Sequence, residues 1–441
     1  MKRLFKKLTT GFILGLLQSI FPRFDHQADT IRIAAESENK NRILLKRSGG
    51  MPINVLFVCH EPALWSMFES IYKVMLVDDR FSPLIVVLPY KHESLADGQF
   101  KDSGMLEFLK LKGFPAISGY DGKKDWLNPK DLGPDYVFFQ TPYSFFASEW
   151  SIEQISLIAR VCYIPYATCL FKGQVEEILH PEIFYRHVHF KFVESSFAKQ
   201  EFELKFGGYS WYNGEYVIAS GHPKLDYLTD DDDHDVHVVD DLEDDSVWKR
   251  GLDQNIKRIL WTPRWNSEEG ACHFFDYKDF FIQFCRDNPE VDFAFRPHPL
   301  CFWNFLKSGE LTAEELSKMD ADYALSPNMV IDQNGEYHDT FLSSDILVSD
   351  ISSMMLEYLA TGKPIVYSHR VDQFNKLGKE LSKGMYQVCN EVELMNVLRM
   401  LLSGEDPLRS TREQLIGSLL FLPERGASLI IKNCLQRDFT T

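Results

Sequence analysis

The chain has 441 residues, 45% hydrophobic and 25% charged, with a formal net charge of −17. That is chain enough for about two to three domains with sizeable cores. The acidic balance argues against a general nucleic-acid binder, whose surface is basic, but it leaves room for a local basic pocket. The eight cysteines are scattered, without a Cys-x-x-Cys pair or metal-ligand spacing, which fits reduced, mostly buried thiols in a cytosolic setting.

In chain order, the first 24 residues carry Lys2, Arg3, Lys6 and Lys7, and Leu4, Leu8, Phe12, Leu16 and Ile20 recur every four residues. The apolar stretch is much shorter than the roughly 20 residues that span a bilayer, and no convincing cleavage site follows it. It reads as a basic amphipathic helix lying in a membrane interface; the alternative is a helix packed on the protein or on a partner subunit. Residues 25–50 are polar, end in Ser48-Gly49-Gly50, and read as a linker.

Residues 51–225 read as the first α/β domain. INVLFVC (53–59), SPLIVVLP (82–89), FPAISGY, PDYVFFQ and VCYIP (161–165) are buried strands, alternating with helical spacing at 64–77 and 151–160. Apolar strands alternating with helices mean a parallel sheet covered on both faces. DDDDHDVHVVDDLEDD (230–245) reads as a solvated acidic loop rather than a metal site, because charges so dense repel one another. It marks a linker over 226–256.

The alternation restarts in a second domain, 257–441, with strands at RILWTP (258–263), VDFAFRP (291–297), MVID (329–332), DILVSD (345–350) and PIVYS (364–368), and helices at 280–287, 391–403 and 411–435. The expectation is two doubly wound, Rossmann-like domains facing a cleft, with ligands at the carboxyl ends of the strands.

Those ends carry chemistry in the second domain. One strand runs through Pro263 into Arg264, the next into Arg296-Pro297-His298-Pro299, and another into Asp350, Ser352 and Ser353, where a helix begins. Two guanidinium groups offer bidentate donors to phosphate. A helix start can hold an anion on its outward N–H groups, although serine there also serves as a plain cap. Glu357, one to one and a half turns on, is placed to accept from ribose hydroxyls. Upstream, GHPKLD (221–226) closes the first domain, with Gly221 suited to a sharp turn and Lys224 to reaching a phosphate.

GHPKLD, ILWTPRW, FRPHP and DILVSDISSMMLEYLATGKPIVY stand in the order and spacing of the CDP-glycerol:poly(glycerophosphate) glycerophosphotransferases, the teichoic-acid polymerases and primases, which the chain resembles from about 183 to 370 and more loosely from 53 to 180. The resemblance implies a GT-B-type fold and a donor site. Lys224 stands where the family usually has a donor-contacting arginine. Pro263 and Arg264 form a strand-end contact, Arg296 and His298 hold the pyrophosphate with His298 in catalysis, Ser352 and Ser353 bind phosphate oxygens, and Glu357 replaces the usual aspartate facing the nucleotide. The family's His-Gly-Thr motif, whose histidine is the candidate acceptor base, is missing; the matching region reads VCYIPYATCLFKG (161–173). His60 or Glu61, ending the first strand near Gln140, is the substitute candidate.

The implied reaction transfers glycerol phosphate, or another polyol phosphate, from a CDP-activated donor to a hydroxyl of a cell-surface polymer or its lipid-linked precursor, at the cytoplasmic face of the membrane. It asks for positioning and charge neutralisation rather than a cofactor or metal. Three rivals keep the fold: a glycosyltransferase using a nucleotide sugar, a nucleotide-sugar epimerase, and a non-catalytic nucleotide-binding subunit of a polymer-assembly complex.

Overall fold

The computed structural model describes every residue except 1–25, 92–98, 123–124, 144–145, 167–169, 173–180, 229–246, 253–255, 269, 335–336, 353 and 371. The expected interfacial helix, the acidic run and Ser353 therefore lie outside the described residues. The chain divides into two compact units. The first takes its described residues from Met1–Tyr166, Glu177–Thr229 and Phe421–Thr441, the second from Ala167–Glu176 and Asp230–Leu420.

The first unit holds seven strands: β1 (Ile53–Cys59), β2 (Phe81–Val87), β3 (Ala116–Ser118), β4 (Tyr136–Phe139), β5 (Arg160–Tyr163), β6 (Val188–Val193) and β7 (Val217–Ala219). Their order is β3-β2-β1-β4-β5-β6-β7, all parallel. Burial on both faces explains the near-continuous apolar runs. The core is built from aromatic rings, with Phe57 stacked on Phe138 at 5.2 Å and edge-on to Phe68 and Tyr72.

Two expectations are corrected here. Residues 25–50 are not a linker: His26–Ser48 is a helix of 23 residues. Ala35, Asn39 and Ile43, four apart, are its buried line, and Lys46 donates to the buried Asp135 at 2.7 Å. The last residues do not belong with the second domain either. The helix Ala427–Thr440 joins the first unit, where Asp226 accepts from the N–H groups of Ala427 (2.6 Å) and Ser428 (3.0 Å), and Lys432 donates to Asp78 at 2.8 Å. Asp226 thus fills the role of a helix cap, satisfying orphan donors that no intrahelical carbonyl can reach.

GHPKLD is therefore a structural clamp as well as a candidate contact. Gly221 has φ +77°, and a Cβ there would stand 2.7 Å from Pro423 Cδ and 2.8 Å from the Phe421 carbonyl oxygen. Left-handed backbone costs a non-glycine residue roughly 1–2 kcal/mol before any clash. Gly221→Ala is expected to destabilise the protein by about 2 kcal/mol or more, read as a lowered midpoint of thermal unfolding; an unchanged midpoint would show that the 421–423 segment yields freely.

The second unit holds β8 (Lys257–Thr262), β9 (Val291–Phe295), β10 (Met329–Ile331), β11 (Ile346–Ser349), β12 (Ile365–Ser368) and β13 (Tyr386–Val388), parallel in the order β10-β9-β8-β11-β12-β13. Both sheets reverse direction of winding after their third strand, which puts the switch point beside the first strand, between β1 and β4 and between β8 and β11. In open α/β sheets ligands collect outside the strand ends at such a switch point.

Candidate functional site

The switch point of the second unit is where the expected donor residues stand. Thr262 Oγ1 donates to Ser349 Oγ at 2.8 Å, tying the carboxyl ends of β8 and β11 together. Beyond them Asp350 is fully buried. Its Oδ2 accepts the backbone N–H of Arg264 (3.0 Å) and of His273 (2.9 Å), and its Oδ1 lies 3.2 Å from His273 Nδ1. Arg370 donates to His273 Nε2 at 3.2 Å and also pairs with Asp276. One carboxylate thereby fixes the loop that carries Pro263 and Arg264.

Arg264 lies over the Trp265 ring at 5.5 Å, and Trp265 stacks on His298, also at 5.5 Å, which links the ends of β8 and β9. His298 Nδ1 accepts from the Leu300 N–H at 3.1 Å, so the neutral ring carries its hydrogen on Nε2. Desolvation first, and the Arg264 guanidinium second, lower its pKa to about 4, although the residue as a whole remains exposed. At neutral pH this histidine is a hydrogen-bond donor without charge.

Arg296 is held rather than free-swinging. Its guanidinium donates to Asp332 Oδ2 at 2.6 Å and to the Asn334 carbonyl at 2.7 Å, and lies 5.5 Å from the centre of the Tyr337 ring. Asp332, fully buried at its carboxylate, also takes bonds from Thr340 Oγ1 and the Asn334 N–H. Such fixing lowers the ordering cost of gripping an anion.

Other expected residues fare differently. Ser352 begins the helix Met354–Leu359, its hydroxyl accepting from the Met354 N–H at 3.2 Å. That is the capping alternative realised, on a helix of six residues. Glu357 is 7% exposed and accepts a bond from the Tyr337 hydroxyl beneath Arg296. It supports Tyr337 rather than standing open to a ribose. Lys224 belongs to the first unit, where it is buried and donates to the Tyr166 carbonyl at 3.2 Å. Trp265, Asp332, Tyr337, His273 and Arg370 were not singled out in the sequence. The first two lie within runs that end strands, and the others carry no spacing signal.

At the switch point of the first unit, Gln140 Oε1 accepts the N–H groups of His60 (2.7 Å) and Glu61 (3.0 Å), and its amide donates to the Glu61 carbonyl at 3.2 Å. His60 is 3% exposed, its ring edge-on to Tyr90 (5.3 Å) and Phe146 (5.4 Å), and burial lowers its pKa to about 4. It is packed as a core residue. Glu61 is only half-buried, and desolvation raises its pKa against the pull of Lys101. Of the region matching His-Gly-Thr, Phe171 stacks on Phe374 at 5.2 Å, and the Asn375 N–H donates to the Leu170 carbonyl at 2.9 Å.

Two doubly wound parallel-sheet units, the second with arginine, imidazole and carboxylate groups at its switch point, define a protein of GT-B-like fold. Residues 182–385 match the model of the CDP-Glycerol:Poly(glycerophosphate) glycerophosphotransferase family, so the resemblance carried by the motifs holds over that part of the chain. No curated protein matches the sequence. Among solved structures, the wall teichoic acid polymerase TagF is similar at 12% identity and a TM-score of 0.58, over 93% of this chain and 98% of that one. A UDP-GlcNAc 2-epimerase from Neisseria meningitidis bound to UDP-GlcNAc is similar at 14% identity and a TM-score of 0.57, over 88% and 100%. A putative UDP-N-acetylglucosamine 2-epimerase from Listeria monocytogenes is similar at 11% and 0.58, over 88% and 97%. At these identities the structures establish the fold. Family match and fold together support a transferase of the glycerophosphotransferase type.

Proposed function

We propose that the protein transfers a glycerol-phosphate or related polyol-phosphate unit from a CDP-activated donor to a hydroxyl of a cell-surface polymer or its lipid-linked precursor. The observation that carries this reading is Arg296, pinned by Asp332 and Asn334 at the end of β9 and two residues from His298, within the segment that matches the family. The acceptor oxygen forms a bond to the phosphorus bearing the glycerol, the bond from that phosphorus to the bridging oxygen breaks, and CMP leaves. Arg264 and Arg296 stabilise the charge that develops on the leaving phosphate, and His298 donates a hydrogen bond from Nε2. In this proposal no metal takes part. Pro263 shapes the Arg264 turn, and Ser352 and Ser353 border the phosphate. Lys224 and Glu357 act as supports. Glu61, its proton affinity raised by desolvation, takes the acceptor proton in place of the missing histidine; the packed ring of His60 is the weaker candidate.

Calorimetric binding to CDP-glycerol, CDP-ribitol and a set of UDP- and GDP-sugars tests the donor. Binding of a CDP-polyol is the expected result; binding of a nucleotide sugar alone would make the protein a glycosyltransferase or an epimerase, and binding of a donor without turnover would favour a non-catalytic subunit. We further propose that residues 1–24 hold the protein at the cytoplasmic face of the membrane, because no described helix is long and apolar enough to cross one while the N-terminus is basic with a four-residue apolar repeat. Deleting residues 1–24 is expected to move the protein from the membrane fraction to the supernatant. Full-length protein already in the supernatant would refute the anchor.

A further inference from the structure

A recess of about 340 Å³ opens in the first unit, on the amino-terminal side of β5, β6 and β7, away from the strand ends considered above. The helix His26–Ser48 contributes Arg32, Glu36 and Asn39 to its lining. Its volume falls in the range of small-molecule sites.

Its charges do not cancel. Arg32 pairs with Glu36 at 3.3 Å, Arg186 with Glu182 at 2.9 Å, and Arg160 with Asp438. Lys191 is left over. It sits in the middle of β6, 4% exposed, its amine donating, among the described residues, to the Val188 carbonyl alone at 2.5 Å and lying 5.6 Å from the centre of the Trp211 ring. No described carboxylate lies within ion-pair distance of it. A buried ammonium without a counter-ion is costly, and burial, reinforced by Arg32, lowers this amine's pKa to about 7.

The lining also holds buried polar atoms with no hydrogen-bond partner among the described residues: Asn39 Oδ1, Arg160 Nε and the Tyr212 hydroxyl. Asn39 is 2% exposed and Arg160 9%. Folded proteins satisfy the great majority of such groups. Lys191 and Arg160 are donors suited to an anion; Asn39 Oδ1 and the Tyr212 oxygen are acceptors suited to hydroxyl groups.

We propose that this recess binds a small phosphorylated polyol, with its phosphate on Lys191 and Arg160 and its hydroxyls on Asn39 and Tyr212. The site is independent of the donor reading, since all its residues belong to the first unit. Calorimetry on the full chain with sn-glycerol 3-phosphate, glycerol and inorganic phosphate tests it. One equivalent of sn-glycerol 3-phosphate is expected to bind at least tenfold more tightly than phosphate, with no heat from glycerol. Lys191→Met keeps the length and apolar stem and removes the charge; it is expected to weaken binding at least tenfold, whereas Arg264→Ala in the second unit leaves binding unchanged. Should Lys191→Met fail to fold, Asn39→Asp sets a carboxylate against the anion and is expected to produce the same loss. Absence of binding, equal binding of inorganic phosphate, or binding lost in Arg264→Ala but kept in the recess variants would overturn the proposal.

Discussion

Replacing Arg296 by alanine is expected to weaken binding of a nucleotide-diphosphate donor by about 10- to 100-fold, the size of a lost charge-assisted hydrogen bond of roughly 1.5–3 kcal/mol. The same change carries a second effect. Asp332 has no exposed carboxylate surface and bonds Arg296 at 2.6 Å; breaking a buried pair by removing one partner costs about 3–5 kcal/mol. The single variant therefore loses both stability and binding. Arg296→Ala combined with Asp332→Asn separates them: the amide oxygen, in the place of Oδ1, can still accept the Asn334 N–H, the amide NH2, in the place of Oδ2, can donate to the Thr340 hydroxyl, and no buried charge is orphaned. Thermal stability is expected to recover in the double variant while donor binding does not. If binding returns together with stability, Arg296 serves the fold and not the phosphate.

His298→Ala is expected to lower turnover by about 10²-fold, the usual effect of removing one preorganised donor from a developing oxyanion, with a smaller change in donor affinity. The environment dictates the form of the test. A pKa near 4 leaves the ring neutral at pH 7, and Nδ1 is occupied by the Leu300 N–H. The donor is then Nε2–H, whose place a glutamine amide can fill. His298→Gln is expected to retain activity above the alanine variant, and on account of His298 the rate stays level between pH 6 and 8. An imidazolium acting as a proton donor predicts the opposite on both counts: no rescue by glutamine, and a rate that falls as rising pH removes the proton. Measuring kcat against pH for the three proteins distinguishes the two.

Much of the fold was legible because a parallel sheet buried on both faces writes itself as apolar runs. INVLFVC coincides with β1, the run at 82–89 overlaps β2 from its second residue, and the runs at 291–297 and 364–368 each contain a strand. β6 was not legible. VHFKFV interposes His189 and Lys191, and the tertiary structure buries both in a polar recess that no periodicity foretells. The helix His26–Ser48 reads as a linker in the sequence because only Ala35, Asn39 and Ile43 make its buried line. Its docking rests on an ion pair with Asp135, a residue 89 positions away from Lys46.

The candidate site divides in the same way. Strand ends are local, so the sequence by itself determined that Arg264, Arg296, His298 and Ser352 follow buried strands of one parallel sheet. Which carboxylate meets which base is not local. Only the tertiary structure decided that Asp332 pins Arg296, that Asp350 ties the Arg264 loop to His273, and that Glu357 supports Tyr337. It also decided that His60 is sealed by Tyr90 and Phe146, and that the final helix returns to the first unit under the cap of Asp226. The physical reason is that hydrophobic periodicity reports how one segment meets water. Hydrogen bonds and ion pairs report which segments meet each other, and that is set by packing across tens to hundreds of residues.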